Sequence, residues 1–207
     1  MIIDMATQSR SSCYHWMTQA VIPRPIAWIL TENNDCSYNL APFSYFNALC
    51  SAPPLIGVSI TAQKNEIAEK KDTLVNIRSR KNFVVHIASV AQLTELNDSA
   101  ATLPYGKSEV AATNLAVTPY DNFVLPRLTD CPLALACELH KEIDLDGQGE
   151  QILILGKIRW LYASEATLTT DAKDRPLISA EAVNPVARLS AGNYAHLGGF
   201  ITLHPSQ

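Results

Sequence analysis

The stretch 133–145 constrains the fold more than any other part of the chain. Leu133, Leu135, Cys137, Leu139, Ile143 and Leu145 alternate with Ala134, Ala136, Glu138, His140, Glu142 and Asp144. A spacing of two is that of a β-strand, whose successive side chains point to opposite faces. Here it predicts one apolar face and one wet face. Asp146-Gly147-Gln148-Gly149 makes the turn. The return segment, 151–162, carries Ile152, Leu153, Ile154 and Leu155 in a row, apolar on both faces. In a mainly antiparallel fold such a strand reads as a barrel wall that also meets a helix or another subunit.

The rest of the chain agrees with a β-rich fold. Residues 20–31 read as a strand in which Pro23 and Pro25 lack amide donors, so they mark an edge or the lead-in to a strand. The polar run 32–37 reads as a hairpin turn and 38–44 as the returning segment. Pro53-Pro54 stops the chain, and 55–61 forms a third strand. Asp72 is placed to cap a helix over 73–81, with Leu74 and Ile77 inward and Arg78 and Arg80 at its C-terminal end. Residues 83–88 form a buried strand. Ser89 and Gln92 then fit a capping box ahead of Leu93 and Leu96. A further short helix begins near Ser108. The expected fold is mainly β, a barrel with a few helices packed outside it. No linker or repeat divides residues 1–207, so one domain is expected.

Composition excludes several functions. A chain of 207 residues buries roughly 70% of its unfolded surface, enough to need no staples. The net charge is −4 with no basic block, which argues against a general nucleic-acid face. Five cysteines, an odd number with no Cys-x-x-Cys pair, and five scattered histidines give neither a disulfide framework nor a usual zinc site. No metal ligand set is assigned. The N-terminus lacks the basic flank and long apolar stretch of a signal peptide. No window of about 20 apolar residues spans a membrane. The expectation is a cytoplasmic, reduced protein with no membrane and no nucleic-acid partner. The sequence has no G-x-G-x-x-G, P-loop, G-x-S-x-G or HExxH motif, so Rossmann, nucleoside triphosphatase, serine hydrolase and zinc protease readings fall away.

What remains is a set of small hydroxyl and amide side chains near strand ends. Thr31 ends one strand, and Asn39, Ala41, Pro42, Phe43 and Ser44 follow in the next. Ser59 and Thr61 lie on the third, and Lys71-Asp72-Thr73 starts a helix. A phosphate at that helix start would meet free amides, the positive end of the dipole, the Thr73 hydroxyl and the Lys71 ammonium. Asp72 is awkward beside an anion unless it caps the helix and points away. Taken alone, Lys-Asp-Thr is ordinary helix-start chemistry. Within 39–47, Phe43, Tyr45 and Phe46 read equally as core. Yet Pro42 removes an amide donor, and such a strand leaves unpaired backbone groups for a flat ligand. The run 185–199 surrounds Arg188 and Tyr194 with small residues, and reads otherwise as a loop packed on the barrel.

Together these segments resemble the flavin reductase-like family, whose members share a split β-barrel that binds flavin mononucleotide (FMN). The resemblance rests on Arg24-Pro25-Ile26-Ala27-Trp28-Ile29, Asn39-Leu40-Ala41-Pro42-Phe43-Ser44, Phe46-Asn47, Pro53-Pro54, Lys71-Asp72-Thr73-Leu74, Asn76-Ile77 and Phe83-Val84-Val85. It continues through Cys137-Glu138-Leu139 and Ala187-Arg188-Leu189 to Tyr194-Ala195, nearly the whole chain in order. It implies a homodimer with FMN sites near the subunit interface, and 39–44 running beside the flavin ring and ribityl chain. Thr31, Ser59, Lys71 and Thr73, with Asp72 between the last two, are then candidates for the ribityl and phosphate end. Arg24 adds charge or holds its strand. Arg188 and Tyr194 close the site, from the same or the partner subunit. Two departures stand out. Family members often carry glycine where this chain has Cys36, and Gly-Gly where it has Ser190-Ala191.

The resemblance implies an oxidoreductase, an NADH- or NADPH-dependent flavin reductase with no catalytic acid or base. The nicotinamide would bind transiently over the flavin, so no Rossmann motif is needed. The alternatives are a flavin-bound electron carrier served by a protein partner and a non-catalytic binding barrel. The acceptor of the electrons is left open: free flavin, ferric iron, a monooxygenase or another protein.

Overall fold

The computed structural model describes residues 1–64 and 69–203. Helix α1 (Arg10–Ala20) leads into strands β1 (Ala27–Glu32), β2 (Tyr38–Phe43), β3 (Phe46–Ser51) and β4 (Pro54–Thr61). Helix α2 (Asp72–Arg80), β5 (Asn82–Ile87), and the short helices α3 (Leu93–Asp98) and α4 (Glu109–Ala112) follow. Two long strands, β6 (Leu133–Asp144) and β7 (Gln151–Ala163), complete the main sheet. The seven strands are antiparallel neighbours in the order β2-β1-β5-β6-β7-β4-β3. The fold is mainly β, a split barrel with helices around it.

The centre of the sheet is apolar on both faces, and each face has its own core. Ile29, Val58, Ile60, Phe83, Val85, Cys137, Ile152 and Ile154 fill the interior. Trp28, Leu30, Val84, Ala134 and Ala136 face outward, under Leu96 of α3, Val110 of α4 and Leu128. This corrects the expected wet face of β6. Ala134 and Ala136 are fully buried, because helices and a long loop cover that side. Only beyond Leu139 does β6 emerge into solvent. The apolar run in β7 is one-sided: Ile152 and Ile154 are buried, while Leu153 and Leu155 are half-buried on the outer face. Leu49 of β3, 52% exposed, lies there over Gly57 beside Leu153.

Several local expectations hold. The 20–31 segment becomes β1, and its prolines sit in the lead-in, where Arg24–Pro25 pairs with Ala187–Arg188. The Asp144 carboxylate accepts from the Gly147 and Gly149 amides in the β6–β7 turn. Gln92 reaches back to the Ser89 amide at 3.3 Å, and Ser108 caps α4. Three expectations change. Lys71, not Asp72, is the N-cap residue of α2. Leu74 and Ile77 join the interior core, so α2 is part of it and does not lie outside. Helix α1 and strand β3 are additional. Strand β3 is almost wholly exposed and so carries no period-two burial signal. No helix among the described residues is long and apolar enough to cross a membrane.

Cys36 and Ala191 both adopt left-handed backbone, with φ of 67° and 51°. The turns keep a shape that favours glycine although side chains are present. A Cβ there costs roughly 1–2 kcal/mol, against roughly 0.5–1 kcal/mol of extra chain entropy for glycine. Cys36→Gly should therefore raise the unfolding free energy in urea by about 0.5–1 kcal/mol. A clear loss of stability would show that the Cys36 side chain contributes contacts outweighing its backbone strain.

Candidate functional site

Strand β2 is an edge strand, and its outer side is only partly covered. The Ser108 hydroxyl donates to the Tyr38 carbonyl at 2.6 Å, and the Leu40 amide donates to the Glu109 carboxylate at 3.0 Å. In an antiparallel strand the amide and carbonyl of one residue point the same way. The backbones of Tyr38, Leu40 and Pro42 therefore face outward, and Pro42 has no amide to offer. The start of α4 satisfies the first half of this edge. Beyond it, Pro42 lines the cavity with its carbonyl on the outward side.

A buried amide network sets the start of α2 against β2. The Asn39 side-chain amide donates to the hydroxyls of Thr31 at 3.1 Å and Thr73 at 2.9 Å. The Asn76 amide donates to Thr31 at 3.1 Å and to Asn33 at 2.9 Å. All five side chains are buried. Thr73 accepts in this network, so its own proton is not used there. Thr31 is fully enclosed and supports the site from behind without lining it.

The cavity holds about 130 Å³ between β2, the start of α2 and the loop 99–103. Asn39, Ala41, Pro42, Phe43, Lys71, Asp72 and Thr73 all line it, as do Lys64 and Glu109. Lys71 is half-buried, 5.5 Å from the Phe43 ring centre. Among the described residues it has no carboxylate partner. Burial pushes its ammonium pKa down. Asp72 is committed elsewhere: it pairs with Lys64 at 2.6 Å and accepts from the Gly106 amide at 2.9 Å. Its charge is thus largely balanced, though not by capping the helix. Glu109 is 6% exposed. Burial pushes its carboxyl up to about 7, with the Leu40 amide opposing the shift and the Asp72 charge adding to it.

A second depression of about 200 Å³ continues from the first, sharing Pro42 and Ala100. Ser44, Arg188 and Tyr194 line it, all from one chain. The Arg188 guanidinium lies 4.5 Å over the Tyr194 ring, and the Tyr194 hydroxyl donates to Asn97 at 3.1 Å. The C-terminal segment is thus held over the Pro42–Ser44 end. Arg24 does not line either hollow. It is 6% exposed and donates to the carbonyls of Thr18 and Val21, each at 2.7 Å, and of Leu189 at 2.9 Å. It clamps the end of α1 to the C-terminal segment. The Leu40 side chain belongs to the outer core. Ser59 lies away from both hollows, on the outer sheet face, accepting from Gln151 at 2.6 Å.

Lys64, Glu109 and the loop 99–103 escaped the sequence reading. The only signals for them are the small residues of Ser99-Ala100-Ala101-Thr102 and an acid directly after a helix cap.

A family model described as "Flavin reductase like domain" matches residues 17–180. The chain belongs to the flavin reductase-like family. It is 31% identical to nitrilotriacetate monooxygenase component B from Bacillus cereus, with 98% of each chain covered and a TM-score of 0.87. It is 28% identical to 2-nitrobenzoate 2-nitroreductase from Pseudomonas fluorescens, over 100% of this chain and 96% of that one, at a TM-score of 0.86. A Shewanella frigidimarina protein described by its split barrel domain shares the fold, at 18% identity, full coverage of both chains and a TM-score of 0.82. Membership of this family supports a flavin cofactor.

The clamp makes a stability prediction. Arg24→Ala leaves three carbonyls without their charged donor. It should lower the unfolding free energy by about 2–4 kcal/mol in a urea titration. A loss below about 1 kcal/mol would contradict the clamp.

Proposed function

We propose that this protein binds FMN along β2 and acts as an NADH- or NADPH-dependent flavin oxidoreductase. The observation that carries the reading is Lys71, a half-buried cation without an anionic partner among the described residues, at the start of a nine-residue helix. The amides of Asp72 and Thr73, the Thr73 proton and the Lys71 ammonium converge there, as a phosphate monoester requires. The ribityl and ring would lie towards Pro42, Phe43 and Ser44, beside the outward Leu40 and Pro42 carbonyls. Arg188 and Tyr194 then border the far end.

Bound flavin would supply the hydride-accepting ring, and the protein binds, orients and shields it. Hydride transfer between stacked rings needs no side-chain acid or base, so no catalytic residue is assigned. The likeness to a monooxygenase component B supports a protein partner that takes the electrons. The likeness to a nitroreductase supports a small aromatic acceptor instead. The outer sheet face with Leu49, Leu153 and Leu155 suits a second copy of the chain, giving a homodimer of single-domain chains. A cytoplasmic location goes with this reading.

Two measurements test it. Lys71→Ala should weaken FMN by about 2 kcal/mol, roughly 30-fold, and riboflavin by less than about threefold. Equal losses would remove the phosphate role. In anaerobic stopped-flow mixing, NADH or NADPH should bleach the bound flavin rapidly. Bleaching by neither would sink the reductase reading and leave an electron carrier.

A further inference from the structure

The buried acid at the cavity wall has no part in the binding scheme above. Glu109 opens α4, and α4 is pinned to the edge of β2 through the Ser108 and Glu109 contacts to Tyr38 and Leu40. A carboxylate that is 6% exposed has little water to support its charge. Asp72 faces it from α2, Lys64 from the segment after β4, and Lys71 from just before α2. Glu69 lies beyond Lys64, 3.4 Å from its ammonium.

Resting on the FMN reading, we propose that a phosphate monoester entering this cavity draws a proton onto Glu109. Glu109 thereby sets how the affinity of the site depends on pH.

Lys64 and Asp72 are held together at 2.6 Å and cancel. Lys71 alone then faces the incoming dianion and Glu109. With Glu109 ionised, the occupied cavity carries two net negative charges in a poorly solvated space; with Glu109 protonated it carries one. Like charges that close cannot both be stabilised by a single ammonium. Protonation disturbs little, because the carboxyl group still accepts from the Leu40 amide and gains a donor. The proton is also readily available, since burial already holds Glu109 up to about 7 before any ligand enters. The sign follows from linkage. The occupied form holds more protons than the empty one, so affinity falls as pH rises through and above the free value of Glu109.

FMN and riboflavin affinities of the wild type and Glu109→Gln should be measured between pH 7 and 9. The phosphate, with its second pKa near 6, is a dianion throughout that range. Wild-type affinity for FMN should fall by about tenfold, and for riboflavin by less than about threefold. Glu109→Gln keeps the acceptor for Leu40 and should flatten most of the FMN dependence. Any loss from deprotonation of Lys71 persists in the variant and is separated that way. Titration calorimetry of the wild type with FMN at pH 8, in two buffers of different ionisation heat, should show proton uptake. The absence of uptake, or the same pH slope in the variant, overturns the inference while leaving FMN binding intact. Failure of the wild type to prefer FMN over riboflavin at pH 7 overturns the phosphate reading and this inference together.

Discussion

Asn39 divides one side-chain amide between Thr31 on β1 and Thr73 in the first turn of α2. That division decides where the helix starts relative to the sheet edge. The helix start in turn decides where Lys71, the free amides and the Thr73 proton converge. Buried amides and hydroxyls of this kind are stable only when their partners are all present. The network is therefore closed on the protein side by Asn76 and Asn33, and open only at the cavity. Thr31 and Asn76 carry the geometry without lining the cavity.

The edge of β2 is the second constraint. An uncovered edge invites another strand, and here the coverage is split. The start of α4 takes the first half, and Pro42 removes a donor from the second. What is left is a short acceptor-rich edge beside a pocket lined by Lys64, Lys71, Asp72 and Glu109. The two-faced apolar sheet makes this possible. With cores on both sides of β1, β5 and β6, the edge strand is anchored rigidly from its inner neighbour.

Much of this was legible in the residues, for reasons that differ by element. The β6–β7 hairpin shows in its alternation and its glycine turn, and 39–44 with Lys71–Thr73 shows in small polar residues at strand and helix ends. Burial of Ala134 and Ala136 was not legible, because alanine suits a wet face and a covered one equally. Thr31 and Ser59 are candidates in the sequence because a hydroxyl near a strand end does not reveal which way it faces; neither lines the two hollows. Arg24 reads in sequence as a site charge or as a strand holder; its bonds to the nearby Thr18 and Val21 carbonyls and to the distant Leu189 carbonyl agree with holding, and no local pattern encodes the Leu189 contact. Glu109 was hidden because it acts through Leu40, far off in sequence, and Lys64 because a lysine eight residues before Asp72 carries no spacing that marks a pair.

The most direct test of the account is the visible absorbance of the purified protein, with the ligand released by heat and identified by chromatography. With FMN seated along β2, the protein is yellow and releases FMN, or is colourless and becomes yellow and retains FMN when it is added. A colourless protein that does not take up FMN would contradict it, leaving a split barrel whose cavity at β2 serves some other anion.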